Sequence, residues 1–391
     1  MSDPTGQTTP VSSAGSNVPQ FLRPTQQKGS AANQMVLYQD ISETRQKLEK
    51  ELQTWTHEYY TLAIVCALAS EFEAVQLLFD DGVFIAARSK DPRDHNIYTV
   101  GRFAGHLTVL LRPGVRGELD AGLCTQSLHS TFRNIELTLL VGICGAVPEI
   151  RPPRGTVRPI YLGDVVFGTR IWRFAHDARV TQLQAGGVGI EVRNLLTERT
   201  PPMIEQLGNL MENRQNQDRV NERSRRHLSL IQGYDSVYEH PGVECDQLLH
   251  GDSLHLHRAP NWRCTCLDPT RESCSVAKET PCQDLGCQLE RQRPPTEGPP
   301  PDPTVHIGTI ASSDFVLRAR DRFAADFRLH NVLGVDMEGG GVRQAAYSCI
   351  VIKAAVDYAD THKNRVFGHY AAAAAASVAK GFLETLFPPG T

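Results

Sequence analysis

The sequence predicts an α/β fold, with a largely parallel or mixed β-sheet flanked by helices and a long irregular insertion. Three observations predict it. Apolar runs rich in β-branched residues, such as YTLAIVCAL (60–68), LTLLVGICGAV (137–147) and SCIVIKAAV (348–356), read as buried strands. Stretches with apolar residues at helical spacing lie between them, so strands alternate with helices. Acidic or small residues cluster just after several strands, which is where open α/β sheets bind ligands.

The elements follow in order. Residues 1–34 are rich in Ser, Thr, Pro, Gln and Gly and read as a disordered tail. In 35–57, Leu37, Ile41, Leu48, Leu52 and Trp55 recur at helical spacing. That pattern is an amphipathic helix, which either packs on the following domain or binds a partner. After the strand at 60–68, Ser70 opens a helix with Phe72, Val75, Leu78 and Phe79 on one face. IYTVGRF (97–103) and LTVLLRP (107–113) pair as a hairpin with Gly105-His106 as its turn. A helix spans 118–132, a buried strand 137–147, and a further strand 164–172 after the Leu162-Gly163 turn.

The middle, about 191–303, changes character. Met203, Ile204, Leu207, Leu210 and Met211 mark a helix. The basic run Arg219 to His227 reads as a solvated helix face. A Cys-rich patch and PPTEGPPPDP (294–303) follow. So long a loop is unusual in a compact domain, which makes this an insertion or lid with partial order. Order returns with a strand at 305–312, a helix at 314–329, a strand-to-helix unit at 333–347, a strand at 348–356 and an Ala-rich helix at 370–387. The expected organisation is one domain over 58–388, interrupted at about 191–303.

Composition excludes several classes. The chain has 391 residues, with 40 Lys+Arg against 44 Asp+Glu, a net charge of −4. That balance gives no basic excess for nucleic acid. The 40% of hydrophobic residues suffices for a core. No apolar run approaches the roughly 18 residues of a membrane span. The N-terminus lacks the plan of a signal peptide, so the expected compartment is cytoplasmic. There is no P-loop and no ankyrin or TPR period. Five of the ten cysteines crowd into 264–287. Cys264, Cys266, Cys282 and Cys287, with Cys274, His255 and His257 nearby, offer soft ligands for zinc. Cys-x-Cys is not the usual knuckle spacing, and free thiols or redox pairing are the other readings. Otherwise no cofactor is expected.

Four clusters follow the strands: Glu71; Gly142 to Gly145; Asp336-Met337-Glu338 before three glycines; and Asp357 with Asp360, His362 and Lys363 behind it. Any one carboxylate alone reads as a helix cap; together they read as a site. The segments YTLAIVCALASEFEAVQLLFDD (60–81), YTVGRFAGHLTVLLRPG (98–114), LLVGICGAVP (139–148), YLGDVVFG (161–168), HIGTIASSDFVLRARDR (306–322), VDMEGGGV (335–342) and VIKAAVDYADTHKN (351–364) carry a resemblance. In this order they resemble the nucleoside phosphorylase/nucleosidase family, and look nearest to its fungal branch, often found at the N-terminus of NACHT, ankyrin or TPR receptors. The match covers most of 58–175 and 304–387. It implies a single α/β domain around a central mixed sheet, usually oligomeric, so a homo-oligomer acting on a small-molecule nucleoside or nucleotide is expected.

The resemblance assigns roles. Asp357 matches the general acid at purine N7. Glu338 matches the carboxylate that binds ribose hydroxyls, with Met337 packed on the sugar. Glu71 matches the residue that positions the attacking water. Gly142 and Gly145 match the small turn beside base and sugar, and Phe315 and Val316 the segment lining the purine pocket. His362 and Lys363, with Asn364, Arg173 and His176, are candidate phosphate contacts, or else surface residues.

N-glycosidic cleavage passes through an oxocarbenium-like state, which needs an acid at the leaving base and a nucleophile across the sugar. A carboxylate on the ribose hydroxyls stabilises the developing positive charge. Phosphorylases of the family hold phosphate with an early Gly-Asp-Pro-x-Arg motif and an Arg and Ser around the Gly-x-Cys-Gly turn. Here Ala69-Ser70-Glu71, Leu140 and Ile143 stand in those places, which favours water as the nucleophile. The implied function is therefore purine nucleoside hydrolysis, adenine preferred. A phosphorylase and a catalytically degenerate nucleotide-sensing module are the alternatives. The departures are DMEGGG in place of an EMEAAG-like segment, Val356 before the acid, and Lys353 where Arg is usual.

Overall fold

A computed structural model describes residues 50, 57–80, 84–88, 91–150, 158–173, 178–182, 188–192, 200–250, 254–257, 266, 274–296, 298–318, 320–363 and 366–390. The expected tail lies outside these residues, as does the expected 35–57 helix apart from Lys50 and His57.

The main sheet among the described residues has nine strands. They are β1 (Leu62–Val65), β2 (Phe84–Arg88), β3 (Ile97–Phe103), β4 (His106–Leu111), β5 (Leu137–Ala146), β6 (Val165–Arg173), β7 (Val305–Ser312), β8 (Val332–Asp336) and β9 (Cys349–Asp357). Their order is β8-β7-β6-β9-β5-β1-β4-β3-β2. The sheet is mixed, as expected: β9, β5, β1 and β4 run parallel, β6 is antiparallel to β9, and β3 and β2 complete an antiparallel edge. The long β5 also pairs antiparallel with β8 through Gly334 opposite Ala146, so this half of the sheet closes on itself. Strands β1 and β5 and most of β9 are buried, which explains their unbroken apolar runs.

Helices α1 (Ala69–Gln76), α2 (Glu118–Thr131), α3 (Pro202–Glu212), α4 (Arg214–Tyr234), α5 (Ser275–Glu279), α6 (Ala324–Leu329), α7 (Gly339–Ala345) and α8 (Gly368–Leu386) complete the order. The 21 residues of α4 fall inside the insertion yet pack along α8. Asn213 caps α4 by accepting from the N–H groups of Gln215 and Asn216. Its buried stripe is only Val220, Ser224, Leu228 and Ile231. Small residues on α8 let it approach: a Cβ on Gly381 would come 2.6 Å from Ser224 Oγ. The basic residues Arg219, Arg223, Arg225 and Arg226 face outward. Further along the insertion, strands Gln247–Leu249 and Leu289–Gln292 pair antiparallel.

Two local expectations change, and one strand was not expected. The β3–β4 turn is Ala104-Gly105, both at positive φ (53° and 81°), and His106 already belongs to β4 opposite Phe103. A two-residue hairpin whose twist matches its strands needs left-handed backbone at both centres. The helix expected at 314–329 is a 3-10 turn at Arg320–Phe323 followed by the short α6. Side chains there are held by distant backbone instead: Asp314 Oδ1 accepts from Glu118 N, and Arg320 donates to the carbonyls of Tyr358 and Leu249. Strand β2, which pairs with β3 at the sheet edge, had no strong signal in FIAAR.

Candidate active site

Glu71 and Glu338 follow β1 and β8, Asp357 ends β9, and Lys353 lies in the middle of β9. Glu71 sits in the first turn of α1 and is 1% exposed. Its Oε2 accepts from Leu68 N and its Oε1 from Ile143 N, both at 2.8 Å. The first bond closes the helix N-terminus, as a capping carboxylate does. The second reaches across to the end of β5, beyond what a cap requires. Gly142 makes room for it, because a Cβ there would overlap the Glu71 carboxylate.

Lys353 is opposite Gly142 in the β5–β9 register and is 1% exposed. Its Nζ lies 3.9 Å from Glu71 Oε1 and 3.7 Å from Glu338 Oε2. Burial disfavours the ammonium, but Glu71, Glu338 and Asp336 outweigh it and raise its pKa. Burial likewise raises the Glu71 carboxyl, with the Lys353 charge and the two N–H donors pulling the other way. Asp336 is raised by burial too, against the pull of Lys353. Glu71 and Asp336 thus both favour holding protons, which limits the net charge of the cluster.

Asp357 ends β9 and is 9% exposed. Its Oδ1 accepts from Lys363 Nζ at 2.7 Å and from Ala359 N at 2.8 Å. Gly145 lies against it: a Cβ there would come 3.0 Å from Oδ1. The structure thus brings Gly142 to Glu71 and Gly145 to Asp357. Met337 is half-buried before α7. Phe315 and Val316 are exposed in the loop after β7.

The candidate phosphate contacts have other neighbours. Lys363 is paired with Asp357. The buried His362 lies edge-to-face with His255 of the insertion, ring centroids 5.5 Å apart. Arg173 is paired with Glu118 at 2.8 Å. His176 and Asn364 lie outside the described residues, as does Cys264. The other candidate zinc cysteines separate: Cys266 lies with His257 and Cys274, and Cys282 and Cys287 lie with His255.

The glycines of DMEGGG are packing residues. Gly339 N donates to the Asp336 carboxylate and Gly340 N to Ser312 Oγ. A Cβ on Gly341 would overlap the Glu118 carbonyl, and one on Gly340 the Glu118 carboxylate. Helices α2 and α7 meet at this contact, so the loss of helix propensity is exchanged for close approach.

Sequence reasoning noted Lys353 only as a departure, missing it as a bridge, and named Asp336 beside Glu338 without giving it a role. The signal for Lys353 was present, since a lysine inside a β-branched buried strand must find carboxylate partners.

No family model matches the chain. A nucleotide-binding leucine-rich repeat (NLR)-like protein of Hyaloscypha variabilis is 25% identical over 349 residues, covering 85% of this chain. The chain spans 30% of that relative's length. Among solved structures, the chain is similar to a 5′-methylthioadenosine/S-adenosylhomocysteine nucleosidase from Neisseria meningitidis, with 17% identity, a TM-score of 0.45, and coverage of 83% of this chain and 99% of that one. It is similar to a Streptococcus pneumoniae MTA/SAH nucleosidase at 18% identity and a TM-score of 0.45, covering 83% and 100% of the two chains. For the futalosine hydrolase of Helicobacter pylori the values are 13%, 0.45, 85% and 100%.

Proposed function

We propose that the chain is a purine nucleosidase that hydrolyses the N-glycosidic bond of a nucleoside or nucleotide, adenine preferred. Asp357 is the general acid at the base, Glu71 positions the water and Glu338 binds the ribose hydroxyls. One observation carries the reading: Glu71 and Glu338 flank the same buried lysine, at 3.9 and 3.7 Å, and Asp357 ends the strand that supplies it. In this reading the acid, the water-holding carboxylate and the sugar-binding carboxylate act around one sugar, as an oxocarbenium-like transition state requires. Both hydrogen bonds to Asp357 fall on Oδ1. That leaves Oδ2 as the oxygen to meet a purine nitrogen. Met337 packs on the sugar, Gly142 and Gly145 leave room beside base and sugar, and Phe315 and Val316 cover the base.

Water is the nucleophile in this reading because the Ile143 and Leu68 N–H groups, which would suit an anion, already serve Glu71. A phosphate beside Lys353 would also face two carboxylates. A homo-oligomer belongs to the same reading. Leu119 and Leu123, 69% and 54% exposed one turn apart on α2, lie where a second copy would cover apolar surface.

One observation favours a different reading, a nucleotide-sensing module without turnover: Lys363 occupies the Asp357 carboxylate at 2.7 Å. The test is to incubate the protein with adenosine, inosine, AMP and ATP in phosphate-free buffer and measure free base by chromatography. Base release supports the nucleosidase. Release only with added phosphate selects a phosphorylase. Unchanged substrates in both buffers, with binding retained, select the sensing module.

A further inference from the structure

The insertion brings a second set of chemical groups together. His255 Nδ1 lies 3.6 Å from Cys282 Sγ and 3.7 Å from Cys287 Sγ. All three donor atoms lie within 4.8 Å of one another. A single ring nitrogen has one in-plane lone pair or one proton, so it cannot serve two thiols well by hydrogen bonding. A shared cation satisfies all three. With Zn–S about 2.3 Å and Zn–N about 2.0–2.1 Å, a tetrahedral site sets sulfur and nitrogen about 3.6 Å apart.

A candidate fourth donor, His362, lies next to His255, outside the group of atoms within 4.8 Å of one another. The His362 side chain is 6% exposed, and neither ring nitrogen makes a hydrogen bond among the described residues. A buried imidazole without hydrogen bonds is costly unless something else takes its lone pair. Its ring lies edge-to-face with His255, and its Nδ1 is 3.5 Å from Asp360 Oδ1. A carboxylate behind a histidine orients the ring and makes it a better metal ligand. The His255 ring also bonds to the backbone of Ala277 and Thr280, and such backbone contacts usually hold a ligating histidine in orientation.

We propose that His255, Cys282 and Cys287 of the insertion bind a zinc ion, with His362 completing a tetrahedral site. Two thiolates and two imidazoles suit zinc over the hard cations, which prefer oxygen. The Cys-x4-Cys spacing lies within the usual range for zinc. Binding releases the two thiol protons to solvent. The ion ties the insertion to the loop that carries Asp357 and Lys363. Other contacts converge on that loop: His255 N donates to Thr361 Oγ1, and Tyr358 Oη donates to Asp246 Oδ1 at 2.6 Å. The neighbouring group His257, Cys266 and Cys274 offers similar donors, with Cys274 Sγ 3.6 Å from His257 Nδ1 and Cys274 N donating to Cys266 Sγ. It serves as an internal comparison.

The experiment is metal analysis by inductively coupled plasma mass spectrometry. The full chain is expressed with added zinc and purified under reducing conditions without chelator. The expected result is bound zinc, with one equivalent lost in Cys282→Ser and retained there in Cys274→Ser. His362→Gln keeps the fold, read by circular dichroism, and loses zinc to a competing chelator on the order of tenfold more readily or worse. Cobalt(II) in place of zinc gives intense tetrahedral visible bands and a sulfur-to-cobalt charge-transfer band, both weakened in Cys282→Ser. If Cys282→Ser does not fold, the His362→Gln competition decides. Wild-type protein without metal overturns the proposal. So do equal zinc in Cys282→Ser and wild type, a Cys282–Cys287 disulfide in the reduced preparation, or unchanged chelator resistance in His362→Gln.

Discussion

The Lys353 ammonium lies 3.9 Å from the Glu71 carboxylate, and both side chains are 1% exposed. Neither group is tolerable there alone, since an unpaired buried charge costs several kcal/mol. Lys353→Met keeps the volume and removes the charge, leaving Glu71 and Glu338 without their cation. The expected loss of stability is about 3–5 kcal/mol, the usual cost of breaking a buried pair. Urea unfolding measures it. A change under about 1 kcal/mol would mean that the carboxylates do not depend on the lysine.

The raised carboxyls set a pH dependence. In the unfolded chain Asp and Glu lose protons near about 4. Burial raises Asp336 and Glu71 in the fold, so above that range the folded state binds more protons than the unfolded one. Stability from these groups is therefore complete below their unfolded pKa values and is lost as pH rises through the folded ones. Asp336→Asn removes one such group. Melting temperatures recorded from pH 4 to 8 are expected to fall less steeply in the variant than in the wild type. Parallel profiles would contradict the raised Asp336.

Two glycines separate packing from propensity. A Cβ on Gly341 would overlap the Glu118 carbonyl, whereas one on Gly233 in α4 meets nothing within 4 Å. Gly341→Ala is expected to destabilise by about 1–3 kcal/mol through overpacking of α2 on α7. Gly233→Ala is expected to stabilise by about 0.5–1 kcal/mol, the ordinary gain in a helix. Chemical denaturation of the two variants checks the contrast, and a neutral Gly341→Ala would deny the close approach of the helices.

Much of this site was legible in the sequence. Apolar β-branched runs marked β1, β5 and β9, and the carboxylates after strands marked Glu71, Glu338 and Asp357. Helix α4 was harder to read. Only Val220, Ser224, Leu228 and Ile231 are buried, and they meet a helix of alanines and Gly381 that needs no large apolar partner. The Gly-rich start of α7 read as a departure from its relatives because its reason, the Glu118 backbone, lies more than two hundred residues earlier in the chain. The partners of His362 and Lys363 were equally hidden, since long-range contacts to the insertion and to Asp357 leave no local pattern.

In the proposed reading Asp357, Glu71 and Glu338 form a hydrolytic site. Its most direct measurement is adenine release from adenosine and AMP in phosphate-free buffer by wild type and Asp357→Asn, with folding of both confirmed by circular dichroism. Loss of a general acid typically costs about 10²–10⁴-fold. Base release by the wild type is expected, with a loss of that size in the variant. Release at equal rates from the two proteins, or none from the folded wild type, would contradict the reading.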